Sequence, residues 1–357
     1  MSKATFNAGL KASTEALTNA EQTIIYTAKG QPSFMYVLKK FDMSTIDPNL
    51  SGTHPAFIVN GVEKSEIYIG VYQATLVNGE LVSQPNIAPS RITSPADFLT
   101  AVRANGAGHH LITNAEWAAL ALQSAKNNTQ PQGNTYFGRS ADDATQFGRR
   151  IDGVSASAGI TTGTPVIFTG SGPVSFRHNG RYNGISDMAG NIAEYCSGLR
   201  LVNGEVQILA NNNAALSSAD FSATSSEWKA ISGVDGTLIT PDGSGTTANS
   251  VKMATSGTNA YTLVFVNYGL FSAITNPSST PVSTLAMNLL KALAIVPISN
   301  FTYNNDMISA LFSGERITYR GGRWDAGIGG GIFKLQLDVD RSVASGDLGT
   351  RTAYYAP

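Results

Sequence analysis

RYNGISDMAGNIAEYCSGL, residues 181–199, crowds two carboxylates (Asp187 and Glu194), two glycines (Gly184 and Gly190) and the chain's single cysteine, Cys196, into one short stretch. Such a stretch reads as a catalytic centre, a metal loop or a fold-forming turn. Paired carboxylates serve glycoside hydrolysis only when they face one cleft at a suitable separation, which a sequence does not supply. An Asp ahead of a bend accepts backbone N–H bonds, and Gly190-Asn191 tolerates positive φ at little cost, so the residues themselves favour a structural turn. The surrounding chain decides among the three.

Of 357 residues only 14% are charged, 36 are glycine, and the formal net charge is -1. That length allows one large domain or several ordinary ones. The charge balance excludes an electrostatic grip on nucleic acid or an anionic membrane, which needs a surplus of Lys and Arg on one face. His54, His109, His110 and His178 do not join cysteine at metal-ligand spacing, so a zinc or iron site is not expected. One cysteine permits no intrachain disulfide. No stretch of about 18 apolar residues occurs, and the N-terminus has no apolar signal region, so the chain is expected to be made in a cytoplasm without membrane insertion.

Phe6–Thr18 is the one helical candidate before residue 50, with Phe6, Leu10 and Leu17 on a thin apolar face. From Ala56 the pattern becomes three β-segments, with Asn60-Gly61 and Asn78-Gly79 at the tight turns. Helices are then expected after Ser94-Pro95 and after Thr113, where Thr113 and Glu116 form a capping box and Trp117, Leu120 and Ala121 share an apolar face. Residues 127–180 and 211–282 show short strands at most, and an apolar helix runs from Leu285 to Ile298, stopped by Pro297. The glycines of GGRWDAGIGGG lack the Gly-Lys-Ser/Thr of a phosphate loop and lead into a strand, not a helix.

Three separated pieces carry a family resemblance. LITNAEWAALA (111–121) resembles the Leu-Pro-Thr-Glu-Ala-Glu-Trp helix start of the formylglycine-generating-enzyme branch of the C-type lectin fold. NGISDMAGNIAEYCSGL (183–199) resembles its signature Gly-Leu-x-Asp-Met-x-Gly-Asn-Val-Trp-Glu-Trp. RGGRW (320–324), with Gly349 and Arg351 behind it, resembles its closing motifs. The resemblance implies an α+β, C-type-lectin-like domain over residues 54–357, loop-rich, with an insertion at about 205–315 and a small N-terminal attachment or oligomerisation region at 1–53. The family's oxidase needs a late cysteine pair for Cu(I), and no cysteine follows Cys196, so oxidase activity is not implied. Cys196 reads as a small buried hydrophobe.

Within this fold, NAEWAALALQSAKNN, FRHNGRYNGISDMAGN, SGLRLVNGEVQI and the closing RGGRWDAGIGGGIFKLQLDVDRS resemble the variable proteins of diversity-generating retroelements, tropism determinants of phage tails. That resemblance implies a virion protein that binds a host surface protein or glycan, contacts other tail proteins and forms a homo-oligomer, typically a trimer. It makes Asp187 and Gly190-Asn191 scaffold; the alternative is a calcium site using Asn191 and Glu194, since some members bind calcium nearby. A cysteine-independent enzyme on the same fold and a purely structural virion protein are the other readings.

The ligand surface is expected at the end of the chain. If IFKLQLDV is a strand, Ile332, Lys334, Gln336, Asp338 and Asp340 share one face, while Phe333, Leu335, Leu337 and Val339 share the other. The second set is core, and the first is mixed in size and charge, as a solvent-facing surface free of core duties would be. The glycine-rich loop ahead of it adds Arg323, Asp325 and Ile328 as ligand contacts, with Trp324 as core.

Overall fold

A computed structural model of the chain describes residues 3–257 and 259–357; residues 1, 2 and 258, which fall in the expected attachment region and insertion, lie outside the described residues. The chain opens with helix α1 (Lys3–Leu17), followed by an antiparallel hairpin of β1 (Gln22–Tyr26) and β2 (Pro32–Lys39). The thin apolar face of α1 is not what holds it to the rest of the chain: Phe6 is 60% and Leu17 87% exposed. The helix is held instead through buried Thr14 and by polar ties, Thr23 to Glu15 and the Tyr26 hydroxyl to the carbonyl of Asn7.

Five short strands follow where three were expected: β3 (Ile58–Val59), β4 (Val62–Glu63), β5 (Glu66–Gly70), β6 (Thr75–Val77) and β7 (Glu80–Val82). The hairpins β3–β4 and β6–β7 turn at the anticipated Asn-Gly pairs, with Asn60, Gly61, Asn78 and Gly79 all at φ between 50° and 79°. Helix α2 (Pro95–Ala104) starts at Ser94, whose hydroxyl accepts from the Asp97 N–H. After β8 (His109–Leu111), helix α3 (Asn114–Lys126) begins with the complete Thr113–Glu116 capping box. It is buried on every side from Asn114 to Leu122, not on one face.

The second half contributes β9 (Ala193–Val202), β10 (Glu205–Ile208), β11 (Lys229–Ile231), β12 (Leu238–Ile239), β13 (Lys252–Ala254), β14 (Thr262–Val264) and β15 (Gly269–Leu270). Helix α4 (Thr284–Ala292) is shorter than Leu285–Ile298: the chain leaves the helix at Ala294, at φ 47°, before Pro297 is reached. Strands β16 (Met307–Ala310), β17 (Glu315–Arg320), β18 (Leu335–Val339), β19 (Leu348–Thr350) and β20 (Thr352–Tyr354) complete the chain.

These elements form an α+β fold around two main sheets. One is antiparallel with order β1-β2-β5-β20-β8; the other runs β12-β11-β10-β9-β17-β18-β16-β15, with β13 joined to β10, β14 parallel to β13, and β19 parallel to β9. Helix α3 is the hub between them. The core that holds Trp117 and Leu120 also takes in Ile67 and Ile69 from the first sheet and Leu199, Leu201, Leu335 and Leu337 from the second.

Strand pairing ties both regions marked off in the sequence to the main sheets. Within residues 1–53, β2 pairs along its length with β5 and so belongs to the same sheet as the C-terminal β20. Within the 205–315 insertion, β10 pairs with β9, and β16 pairs in parallel with β18.

Candidate functional site

Within the stretch 181–199, residues 184–192 form a buried turn that leads into β9. Asp187, Gly190 and Asn191 all take positive φ (61°, 72° and 67°), and a Cβ on Gly190 would lie 2.2 Å from the Asn134 carbonyl oxygen, a clash only glycine avoids. The Asp187 carboxylate accepts the Gly170 N–H at 2.8 Å, the role expected of a turn-forming Asp. The Asn191 Oδ1 accepts from the Ile167 N–H and from Asn134, while its amide donates to Gln73. Both Glu194 oxygens face the Arg351 guanidinium, at 2.7 and 2.9 Å, and Gln73 donates to one of them.

These contacts bear on the two chemical readings. Asp187, Asn191 and Glu194 are at most 1% exposed, so the carboxylates do not line a cleft as an acid–base pair would. The oxygens of the calcium candidates Asn191 and Glu194 point at N–H donors, which a cation would have to displace. Among the described residues no group of three or more His, Cys, Asp or Glu side chains is placed to hold a metal ion. Three of the histidines are hydrogen-bonded inside the fold: His54 accepts the Ala56 N–H, His110 meets Glu116 at 2.8 Å, and His178 accepts the Ile185 N–H. Cys196 is buried, and burial pushes its thiol well above the ordinary range, as for an inert hydrophobe.

The turn does have a positioning task, since the glycine-rich loop after β17 hangs from it. Gly190 N–H donates to the Gly321 carbonyl and Trp324 N–H to the Asn191 carbonyl, while Gly327 N–H donates to Thr135. Arg320, buried at the end of β17, fixes the loop's root by donating to Asn114 Oδ1 and to the carbonyls of Leu293 and Ala294. Trp324 is only half-buried and meets the Phe137 ring edge-on at 5.2 Å.

Beside this loop, β16 and β18 run parallel with Ser309 opposite Gln336. Their shared outward face and the loop enclose a groove of about 330 Å³ lined by Arg323, Asp325, Lys334, Gln336 and Asp338, together with Tyr268, Met307 and Ser309. Five of the eight residues singled out from sequence therefore meet in one place. The alternation holds within β18, where Leu335, Leu337 and Val339 are buried and Gln336 and Asp338 are half-buried.

The other three do not line the groove. Ile332 is in the core at 1% exposure, and its carbonyl accepts the Trp117 indole N–H. The strand begins only at Leu335, after a turn in which the Lys334 N–H bonds to Gly331, so counting alternation from residue 332 fails. Asp340 lies beyond the strand's end, exposed and ion-paired with Arg316. Ile328, 53% exposed, tips the short 3-10 turn Gly327–Gly329 next to the groove.

Sequence reasoning missed Tyr268, Met307 and Ser309. They sit far upstream and reach the groove through the parallel β16–β18 pairing and the β15–β16 pairing, which leave no local signal. Tyr268 is 61% exposed at φ 57°, on an edge that also exposes Val266 and Leu270.

The groove's charges balance. Arg323 is paired with Asp325 at 2.7 Å and also contacts Asp347. The Lys334 side chain makes no hydrogen bond or ion pair among the described residues; burial draws its ammonium below the ordinary lysine range, against the pull of Asp338. Asp338 has one oxygen at 3.5 Å from the Tyr268 hydroxyl, and its buried Oδ1 has no partner among the described residues. A second concavity of about 320 Å³ near Ile46, Lys126 and Phe301 has Asp47 and Lys126 as its only charged side chains, and Asp47 is occupied with Asn49. No protein-family model matches the chain, and no curated protein matches it.

Proposed function

We propose that this chain is a phage tail-tip receptor-binding protein. In this reading its α+β fold is of the C-type-lectin-like, formylglycine-generating-enzyme type, and the groove between the 321–334 loop, β16 and β18 holds a host surface molecule without chemical change. The carrying observation is the division of labour along the C-terminal segment. Leu335, Leu337 and Val339 build the core, whereas the side chains of Lys334 and Gln336 line an open groove and make no hydrogen bond among the described residues. Side chains of that second kind can be exchanged without disturbing the fold, which a surface adapted to changing receptors requires. The segment before β1 supports attachment to sister subunits or tail proteins, because α1 leaves Phe6 and Leu17 uncovered.

The test is adsorption to host cells by virions that carry Lys334→Ala with Gln336→Ala. Thermal unfolding should move little, as for surface substitutions that cost within about 0.5 kcal/mol each, while adsorption falls or changes host range. Unaltered adsorption sinks the proposal. Diversification is checked in the neighbouring DNA: a template copy of the coding segment for 320–350, differing at adenines beside a reverse transcriptase gene, is the expected arrangement.

A further inference from the structure

The groove's chemistry points to its ligand, and this step rests on the receptor-binding reading. We propose that it takes a neutral sugar of a surface glycan, bound without a metal ion. Arg323 and Lys334 are matched by Asp325 and Asp338, so the lining offers no surplus charge to a phosphorylated or acidic saccharide, nor to a basic peptide. What it offers is unmet hydrogen-bonding capacity: the Gln336 amide, the Ser309 hydroxyl and the Lys334 ammonium make no hydrogen bonds among the described residues. Asp338 adds a half-buried carboxylate whose Oδ1 has no donor among the described residues. A carboxylate with so little of its acceptor capacity used favours a ligand that brings hydroxyl donors.

A sugar ring meets these features together. Adjacent hydroxyls donate to Asp338 and accept from Lys334 and Gln336, while the ring's C–H face lies on Tyr268, the exposed aromatic of the lining. Size argues the same way. About 330 Å³ is at the small end of the range for small-molecule sites, ~300–1,000 Å³, whereas a protein epitope spreads over about 800 Å² per partner.

The full-length chain, in buffer with EDTA, is titrated against a panel of neutral oligosaccharides and against uronic-acid and phosphorylated counterparts. Binding to one or more neutral members and not to the acidic ones is expected. Asp338→Asn and Tyr268→Asn should each weaken it about tenfold or more, the loss of a hydrogen bond to a charged group or of a stacking face. Asn is chosen at Tyr268 because it tolerates the positive φ there.

A second arm separates this proposal from the reading beneath it. Bacterial envelopes that bind the chain are treated with periodate, which cleaves vicinal diols, or with protease. Binding lost to periodate and kept after protease supports the sugar. Binding kept after periodate and lost to protease overturns the sugar and leaves receptor binding standing. Envelope binding that survives Lys334→Ala with Gln336→Ala overturns both.

Discussion

Asp306 shows how far one residue's surroundings can move its chemistry. Its carboxyl is buried at the end of the loop before β16, where it accepts the Phe333 N–H at 2.7 Å. Burial pushes its pKa from 3.8 up to about 7; the Phe333 hydrogen bond and Lys334 pull the other way, and Asp142 adds to the rise. The folded chain thus keeps a proton that the unfolded chain releases near its ordinary value. The associated stability is full below about pH 4 and is lost as pH rises through about 7. Asp306→Asn imitates the protonated form, its amide oxygen still able to accept from Phe333. Denaturant unfolding should find variant and parent alike below about pH 3.5. By pH 8 the variant should be ahead by up to a few kcal/mol, at about 1.4 kcal/mol per pKa unit. A parent that gains on the variant with rising pH contradicts this account.

At the scale of elements, the start of α3 ties local capping to tertiary structure. Thr113 Oγ1 accepts the Glu116 N–H and donates to Asn212, while Glu116 meets the Thr113 N–H, His110 and Asn212. All four residues are buried, so Thr113→Ala strands Asn212 as well as the helix N-terminus. Its cost should reach about 2 kcal/mol, the upper end for a cap, with Thr113→Ser recovering most of it in urea titrations. This element was legible in the sequence because a capping box is written in four consecutive residues. The Asn-Gly hairpins and the Ser94 cap were legible for the same reason. The strand β18 was half legible: alternation separated Leu335, Leu337 and Val339 from Gln336 and Asp338. It misplaced Ile332, because the strand's start is set by a turn at Gly331 and by Asp306, both outside the alternating pattern. Tyr268, Met307 and Ser309 were illegible, since parallel pairing brings them to the groove from a remote part of the chain.

At the scale of the whole molecule, the two ends of the chain share one sheet. The hairpin β1–β2 covers one edge of β5 and the C-terminal β20 the other, so Ile24, Met35 and Leu38 from the start of the chain are core residues, each at most 2% exposed. An attachment region that could be removed whole would have left β5 a natural edge; here its removal uncovers a row of strand hydrogen-bonding groups and the apolar surface behind them. The proposed attachment role therefore belongs to α1 and not to residues 1–53 as a unit. Deleting residues 1–17 removes a helix with one buried residue, Thr14. The thermal midpoint should fall by no more than a few degrees, and assembly with sister subunits or tail proteins should weaken, as read by light scattering. Deleting residues 1–53 removes β1, β2 and buried Met43 and Leu50 as well, and that chain should aggregate or melt without a cooperative transition. A cooperative melt from the longer deletion would show that the first sheet is complete without its N-terminal hairpin, and would favour a boundary at residue 53 despite the pairing of β2 with β5.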